Sequence, residues 1–454
     1  MELKDSYDVV VVGGGPGGTT VGHLLAKRGW DVLVLEKAEH PRFMVGESLL
    51  PMSTQVWDEL GVWETFDNSR YDRKYGAWFD FADGQDPEPF VFGGDAPKRG
   101  DWSWNVERAW FDEVLWDAAV AAGVDGRQNT AVTRFLTDGE GTGATVRGVE
   151  VDTPDGPKQV TARLTVDASG RQSLLGRQLG IRAADPKLNM TAMYAHYSGA
   201  TLVPGQDAGT ITILGTAWGW IWMIPFSTGD ISVGVVVRSP EFAKRVKGRK
   251  PADVFDELLA EIPSVSRRLG PEATRTRDVE TTANFSFRCA AHAGPGWALV
   301  GDAAAFVDPV FSSGVHLAME GGRRLVLDVD RALRAGKQQV GAADLKRYTD
   351  SQQRALKVFT RFIYDWYDDT FRLAFMRPPP SNPIVQFVKR RILRALAGDV
   401  YHPWKVIPYL WMLEKMSALN AMGVKQLNGG TLPAPGMAPS VVPGRVDKDR
   451  QLSA

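Results

Sequence analysis

The stretch YDVVVVGGGPGG, residues 7–18, constrains the fold more than any other part of the sequence. A short β-branched apolar run that ends in a glycine cluster predicts a buried parallel strand leading into a tight turn. The apolar spacing in TTVGHLLAKRG predicts a helix that stops at Gly29, and DVLVLEK predicts a second buried strand. The chain therefore opens with a β–α–β unit, as expected of a doubly wound α/β domain.

Three glycines in the turn indicate a nucleotide site. Gly13, Gly15 and Gly18 have the G-x-G-x-x-G spacing. In this pattern the first glycine permits the turn, the second lets the backbone approach a pyrophosphate, and the third lets helix and strand pack closely. Glu36 ends the second strand, where a carboxylate accepts hydrogen bonds from a ribose. These residues predict a dinucleotide site and leave the choice between FAD and NAD open.

The charge balance and the cysteine count narrow the class of partner. Lys and Arg (53) nearly cancel Asp and Glu (54) over 454 residues, so no global field steers the protein to nucleic acid or to an anionic membrane. The one cysteine, Cys289, excludes an intramolecular disulfide and a cysteine-based metal cluster. No apolar signal region precedes the first strand, and no apolar run is long enough to span a bilayer. We expect a soluble, cytoplasmic protein without a metal site.

Tryptophans alternate along a predicted strand in WGWIWMIPF, residues 218–226. Successive side chains of a strand point to opposite faces. Aromatic side chains dominate core packing, so the residues alone favour a core role for the aromatic face. The residues expected to share that face are Trp218, Trp220, Trp222 and Ile224.

Four further segments resemble FAD proteins of the para-hydroxybenzoate hydroxylase fold group. VDASGR (166–171) and GDAAAF (301–306) are similar to the second and third FAD fingerprints of that group, and VGESLLP (45–51) and VERAWFDEVL (106–115) look like its flavin contacts. The resemblance implies that FAD is the cofactor, that Asp302 holds the ribityl chain, and that the following helix directs its N-terminus at the isoalloxazine. The cofactor-binding residues expected on these grounds are Gly13, Gly15, Gly18, Glu36, Ser48, Arg108, Asp302 and Pro309.

Three patterns are similar to flavin-dependent halogenases. WIWMIP (220–225) matches the W-x-W-x-I-P motif of that family, FVDPVFSSG (306–314) matches F-x-x-P-x-x-S-x-G, and Lys74 in DRKYGAWF is placed like the family's essential lysine. The resemblance covers roughly residues 5–330. The helical region after residue 340 is similar mainly to halogenases that act on carrier-protein-tethered substrates.

The resemblance implies an enzyme that uses FADH2, O2 and chloride or bromide to form a hypohalous acid equivalent. This oxidant halogenates an electron-rich aromatic ring, pyrrole or phenol, carried on an acyl or peptidyl carrier protein, in the secondary metabolism that makes natural products such as antibiotics. A separate flavin reductase supplies the reduced flavin. The alternatives are an FAD-dependent aromatic hydroxylase using NAD(P)H, a flavin-dependent reductase of isoprenoid double bonds, and a flavin-binding protein without chemistry.

Each halogenase pattern has an expected role. Lys74 activates hypohalous acid, either as a positive hydrogen-bond donor or as an amine that forms a haloamine. The backbone amides of Ser313 and Gly314, at a helix N-terminus, bind the halide. Trp220 and Trp222 form an aromatic barrier that keeps the organic substrate away from the flavin and leaves a passage for a small oxidant.

Phe311 bears on the choice of substrate. Tryptophan halogenases have a glutamate, thought to assist deprotonation, just before the serine of F-x-x-P-x-x-S-x-G, and Phe311 stands at that position. This departure argues against tryptophan and favours pyrrole or phenol, which are already activated toward electrophilic substitution. We therefore place Phe311 with the aromatic barrier, packed against the ring. His316 is another candidate base, for which we expect a structural role.

The expected fold class is α/β: an FAD-binding doubly wound domain (Rossmann-like, GR2-type), a large antiparallel β-sheet substrate domain and a helical C-terminal region. The expected divisions are 1–75 for the FAD-binding βαβ unit and the start of the substrate loop, 76–185 for the FAD domain with a β excursion, 186–285 for the antiparallel sheet, 286–335 for the return to the FAD domain, 336–428 for the helical region covering the substrate, and 429–454 for a flexible tail.

Overall fold

The structure is a computed structural model that describes residues 2–80, 87–93, 97–201, 205–368, 383–412 and 415. The tail expected at 429–454 lies outside the described residues, and so do residues 369–382, 413, 414 and 416–428 of the expected helical region. The first elements are β1 (Ser6–Val12), α1 (Pro16–Ala26), β2 (Val32–Leu35), α2 (Thr54–Leu60), α3 (Trp63–Asp67), β3 (Arg73–Lys74), β4 (Gly76–Asp80), β5 (Glu88–Val91), β6 (Ser103–Trp104), α4 (Arg108–Ala121), β7 (Asp125–Arg127), β8 (Val132–Asp138), β9 (Thr145–Thr153) and β10 (Gly156–Asp167).

The chain continues through a run of short strands into long C-terminal helices. These elements are α5 (Leu174–Gln178), β11 (Arg182–Ala184), β12 (Met190–Ser198), β13 (Ile211–Gly215), β14 (Gly219–Pro225), β15 (Asp230–Arg238), α6 (Ser239–Arg245), α7 (Pro251–Ala260), α8 (Pro263–Leu269), β16 (Thr274–Arg275), β17 (Glu280–Ala283), β18 (Phe287–Cys289), β19 (Ala293–Gly294), β20 (Trp297–Leu299), β21 (Ala305–Phe306), α9 (Gly314–Arg334), α10 (Lys346–Trp366) and α11 (Pro383–Leu396).

The first large sheet has the topology of a nucleotide-binding domain. Strands β20, β10, β1, β2 and β7 lie side by side in parallel, and β9 joins β10 as an antiparallel neighbour. Val9 and Val11 of β1 belong to one apolar core, whereas Val10 and Val12 belong to another. Burial on both faces explains why this strand has a continuous apolar run instead of an alternating one. The predicted β–α–β unit is confirmed.

The second large sheet is mostly antiparallel and contains the tryptophan strand. Its order is β16-β12-β15-β14-β13-β4-β5, with β17 also beside β12, and the pair β13–β4 is parallel. Two smaller sheets join β11, β18 and β21, and β3 and β6. Together with the helices α9 to α11, these sheets confirm the predicted fold class. None of the helices in the described ranges is both long and apolar enough to cross a membrane.

Strand β14 separates two apolar cores. Trp220 and Trp222 pack in a core that includes Phe359 of α10 and Ile392 of α11. The intervening side chains face the other core, where Ile221 lies with residues of α7 and α8. This alternation agrees with the predicted strand period of two.

The prediction that three indoles share one face was wrong for Trp218. This residue lies in the turn before β14 and packs with the core on the opposite side of the sheet. Thr216 and Gly219 close that turn through hydrogen bonds of 3.0 and 3.1 Å, so the strand alternation begins only at Gly219. The Trp218 indole instead donates to Glu261 Oε2 at 3.0 Å.

Candidate active site

A cavity of about 700 Å³ is lined by residues of both large sheets and of α10. It is within the usual size range of small-molecule and cofactor sites. Three expected site residues, Gly18, Lys74 and Phe311, do not line it. The expected residues that do line it are Gly13, Gly15, Glu36, Ser48, Arg108, Trp220, Trp222, Asp302, Pro309, Ser313 and Gly314.

The glycine turn leaves room for an anion at the start of α1. Gly13 has φ of +111°, a conformation that side-chain-bearing residues rarely adopt. A Cβ on Gly18 would lie 1.9 Å from the Gly13 carbonyl oxygen, so the closeness of helix and strand requires glycine there. A Cβ on Gly15 would meet only Arg42, at 3.8 Å. The start of α1 lines the cavity, and the amides at such a helix start fit a pyrophosphate.

Glu36 is held in position at the end of β2. Its Oε2 accepts hydrogen bonds from the Gly14 amide at 2.9 Å and from Arg42 at 3.3 Å, and its Oε1 accepts one from the Ala38 amide at 3.0 Å. The carboxylate is thus oriented toward the glycine turn.

Arg108 fixes the loop that carries Ser48. The guanidinium forms two hydrogen bonds with Asp112, of 2.8 and 2.9 Å, and donates to the Val45 carbonyl at 3.1 Å. Arg108 is buried, so this ion pair is not the surface contact that a helical Arg–Asp spacing usually indicates.

Asp302 supplies a carboxylate without a hydrogen bond to another described residue. It belongs to a short turn that follows β20, and its Oδ1 lies 3.7 Å from the place of a Cβ on Gly314. Burial raises the pKa of Asp302 to about 6, against the attraction of Arg171 and Arg108. Hydroxyl groups would satisfy such an acceptor, so the residues present fit the ribityl chain of FAD.

Lys74 lies behind Ser48, next to the cavity rather than in its wall. The side chain is 1 % exposed, and its Nζ donates to Ser48 Oγ at 2.7 Å and to the Leu49 carbonyl at 2.9 Å. No described carboxylate is paired with it, and burial lowers its pKa to about 7. The ammonium and the neutral amine are therefore both populated near neutral pH.

Both indoles that are expected to form the aromatic barrier donate hydrogen bonds. The rings of Trp220 and Trp222 lie 5.7 Å apart, and Trp222 donates to Ser232 Oγ at 3.2 Å. Trp220 donates to the hydroxyl of Tyr367, just after α10, at 3.0 Å. The Tyr367 hydroxyl donates in turn to Asp308 Oδ2 at 2.8 Å.

Sequence reasoning missed Asp308 and Tyr367. Asp308 lies inside the motif FVDPVFSSG. An acidic residue within this motif could have been predicted to belong to the site. Tyr367 is one of many aromatics in its region, and nothing in the pattern distinguishes the one that faces the barrier. Burial raises the pKa of Asp308 to about 7.

The segment after Asp308 leads into α9. Ser312 is left-handed with φ of +55°, Ser313 is the N-cap, and α9 begins at Gly314. The first amides of this 21-residue helix have no partner within the helix. The amides expected to bind halide therefore lie at a free helix start that lines the cavity.

Phe311 and His316 are both buried and have partners outside the cavity wall. Phe311 is buried against Phe362 and Trp366 of α10, with ring centres 6.0 and 5.8 Å away. His316 has both ring nitrogens occupied, by Ser53 Oγ and by the Gly398 carbonyl, each at 3.1 Å. Burial lowers its pKa, which agrees with the structural role expected for it.

Comparison with known proteins identifies the family. Residues 6–360 match the FAD binding domain family. The chain is 33% identical to the tryptophan 2-halogenase of Chondromyces crocatus over 78% of its length, and covers 66% of that protein. It is 30% identical to the 1H-pyrrole-2-carbonyl-[peptidyl-carrier protein] chlorinase of Pseudomonas fluorescens over 87% of its length, and covers 90% of that protein.

A solved structure gives the same result. The flavin-dependent brominase Bmp2 superposes with a TM-score of 0.76 at 27% identity, covering 94% of this chain and all of the brominase. The cavity that fits FAD and the matches to halogenases over most of the chain agree. The chain is an FAD-dependent enzyme and belongs to the flavin-dependent halogenases.

Proposed function

We propose that the protein receives reduced FAD from a separate flavin reductase and halogenates a pyrrole or phenol bound to a carrier protein. The observation that carries the proposal is Lys74, a fully buried lysine without a described acidic partner, 2.7 Å from Ser48 in the cavity wall. A buried charge without a partner is costly, which is a reason to expect a function for it.

Bound reduced FAD and O2 supply the two-electron oxidation that converts halide to hypohalous acid. The chain's own residues bind the halide, separate the substrate from the flavin and hold the oxidant. The amides of Ser313 and Gly314 hold the halide at the start of α9. The aromatic barrier of Trp220 and Trp222 keeps the organic ring from the flavin. Lys74 lies behind Ser48 of the cavity wall and is hydrogen-bonded to it. From there it holds the oxidant by a hydrogen bond or as a haloamine.

The substrate proposal rests on Phe311 and on the C-terminal helices. The Pseudomonas fluorescens relative is a pyrrolyl carrier-protein chlorinase, and the similarity to it extends over 87% of this chain. The Chondromyces crocatus relative is named for tryptophan, but Phe311 offers no base to a ring that needs one. Pyrrole and phenol are more reactive toward electrophiles, and we favour them for that reason.

The test supplies the protein with FAD, a generic flavin reductase, NADH, O2 and chloride or bromide. The substrates are free and carrier-loaded pyrroles, free and carrier-loaded phenols, and tryptophan, and the products are identified by their isotope pattern. We expect halogenated carrier-bound pyrrole or phenol. Hydroxylated products whose formation does not depend on halide would instead support the alternative of an aromatic hydroxylase. Equal turnover of free and carrier-bound rings would remove the carrier protein from the proposal.

The role of Lys74 has its own variant and a matched control. Lys74→Ala should bind FAD and lose halogenation. Arg73→Ala changes the adjacent cation, which is exposed and paired with Asp67, and should halogenate at the wild-type rate. Full activity of Lys74→Ala with FAD bound excludes Lys74 from the mechanism.

A further inference from the structure

Asp308 is a buried carboxylate in a hydrogen-bond chain of fixed direction. It is 4 % exposed, and its Oδ1 accepts from the Val310 amide at 3.0 Å. Its Oδ2 accepts from Tyr367, whose hydroxyl accepts from Trp220 Nε1. The indole nitrogen can only donate, and the Tyr367 hydroxyl donates its own proton to Asp308. Both carboxylate oxygens are therefore acceptors, as in the ionised form.

No described cation forms an ion pair with this carboxylate. Arg238 lies over the Tyr367 ring, 5.6 Å from its centre. Arg171 and Arg108 act on Asp302, another acid of the cavity wall. Asp308 thus depends on two neutral donors, and a proton would remove its charge without breaking an ion pair.

The same short segment carries the proposed halide site. Asp308, Ser313 and Gly314 all line the cavity, and Asp302 approaches the start of α9. An incoming halide is repelled by carboxylates in this poorly solvated region. The reaction also consumes a proton. One reduced flavin, one O2, one halide, one ring C–H and one proton give oxidised flavin, one carbon–halogen bond and two waters.

On the basis of the proposed halide site, we propose that Asp308 takes up a proton from solvent when halide binds, so that halide and proton enter together. The new O–H bond neutralises a carboxylate in the wall of the cavity that the halide enters. During turnover this bond breaks, the proton joins an oxygen atom that leaves as water, and the carboxylate is restored. The pKa of about 7 that burial gives Asp308 makes this exchange accessible near neutral pH.

The test titrates the protein, loaded with oxidised FAD, with bromide between about pH 6 and about pH 9 at constant ionic strength. Flavin fluorescence reports bromide binding, and an indicator dye in weak buffer reports proton uptake. We expect uptake approaching about one proton per bromide above about pH 7. In the same range the bromide affinity should fall by up to about tenfold per pH unit, as proton linkage requires.

Two variants separate the carboxylate from its hydrogen bond. Asp308→Asn removes the charge, so bromide affinity should become independent of pH and proton uptake should disappear. Tyr367→Phe keeps the charge and removes a hydrogen bond that lowers the Asp308 pKa, so the fall in affinity should move to higher pH. Tyr367→Phe remains informative if Asp308→Asn does not fold, which FAD binding reveals.

The outcomes that overturn the proposal are distinct. Bromide binding to wild type without proton uptake refutes the coupling and leaves the halide site intact. A pH dependence that persists in Asp308→Asn assigns the proton to another group, such as Asp302, and refutes Asp308. Absence of bromide binding at every pH overturns the halide site itself, and with it this proposal.

Discussion

Replacing Lys74 by methionine removes a buried charge whose cost depends on pH. Burial lowers the pKa of Lys74 from its ordinary value of 10.5 to about 7. Between these two values the unfolded chain binds more protons than the folded one, so this lysine makes the wild type more stable as pH rises. Below about pH 7 both states are charged, and the penalty is at its maximum.

The size of the effect follows from the two pKa values. Proton linkage gives a penalty of about 4 kcal/mol at pH 7 and of about 2 kcal/mol at pH 9. Lys74→Met removes the penalty and also the hydrogen bonds to Ser48 and Leu49, a loss that we take to be equal at both pH values. The stability of the variant relative to wild type should therefore fall by about 2 kcal/mol from pH 7 to pH 9.

The assay is urea unfolding of both proteins without FAD, followed by tryptophan fluorescence at the two pH values. Other titrating groups cancel in the difference between wild type and variant. Lys4→Met is the matched control, because the Lys4 side chain is 57% exposed, and its difference from wild type should not change with pH. If the difference in unfolding free energy between Lys74→Met and wild type is also the same at both pH values, the inference that Lys74 is buried with a lowered pKa is refuted.

Three further predictions concern the cavity. Gly18→Ala should abolish FAD binding, as measured by flavin fluorescence, because its Cβ would lie 1.9 Å from a backbone oxygen. In the control, Gly143→Ala, the new Cβ meets no atom within 4 Å, and FAD binding should be normal. Trp220→Leu should cost about 3 kcal/mol of stability and raise peroxide release per NADH; unchanged coupling would contradict the barrier. Asp302→Ala should weaken FAD binding by about tenfold to a hundredfold, and unchanged affinity would exclude the ribityl contact.

The sequence predicted the parts of the fold that depend on local patterns. The strand, glycine turn, helix and second strand that end at Glu36 are close in sequence, so their periodicity and turn chemistry suffice. The face assigned to Trp218 was wrong because a strand boundary cannot be read from alternation alone. The strand begins at Gly219, one residue later than the pattern suggests.

Contacts between distant segments could not be predicted. Lys74 and Ser48 were singled out for different reasons, and their hydrogen bond depends on how two loops meet. Asp308 and Tyr367 are 59 positions apart, and the partner of each is decided by the way α10 packs on the second sheet. Sequence patterns identify the residue types of the site, whereas the packing of the helices decides which of them touch.

The hydrogen bond from Trp220 to Tyr367 has a consequence for how substrate range evolves in such a chain. It links a motif residue of the second sheet to the residue just after α10, which lies beyond the motifs. Substitutions in the C-terminal region can therefore change the orientation of the Trp220 indole, or remove its hydrogen bond, while every motif residue stays the same. Two relatives with identical motifs can thus come to accept different rings, and exchanging the residues after 340 between them should transfer that preference.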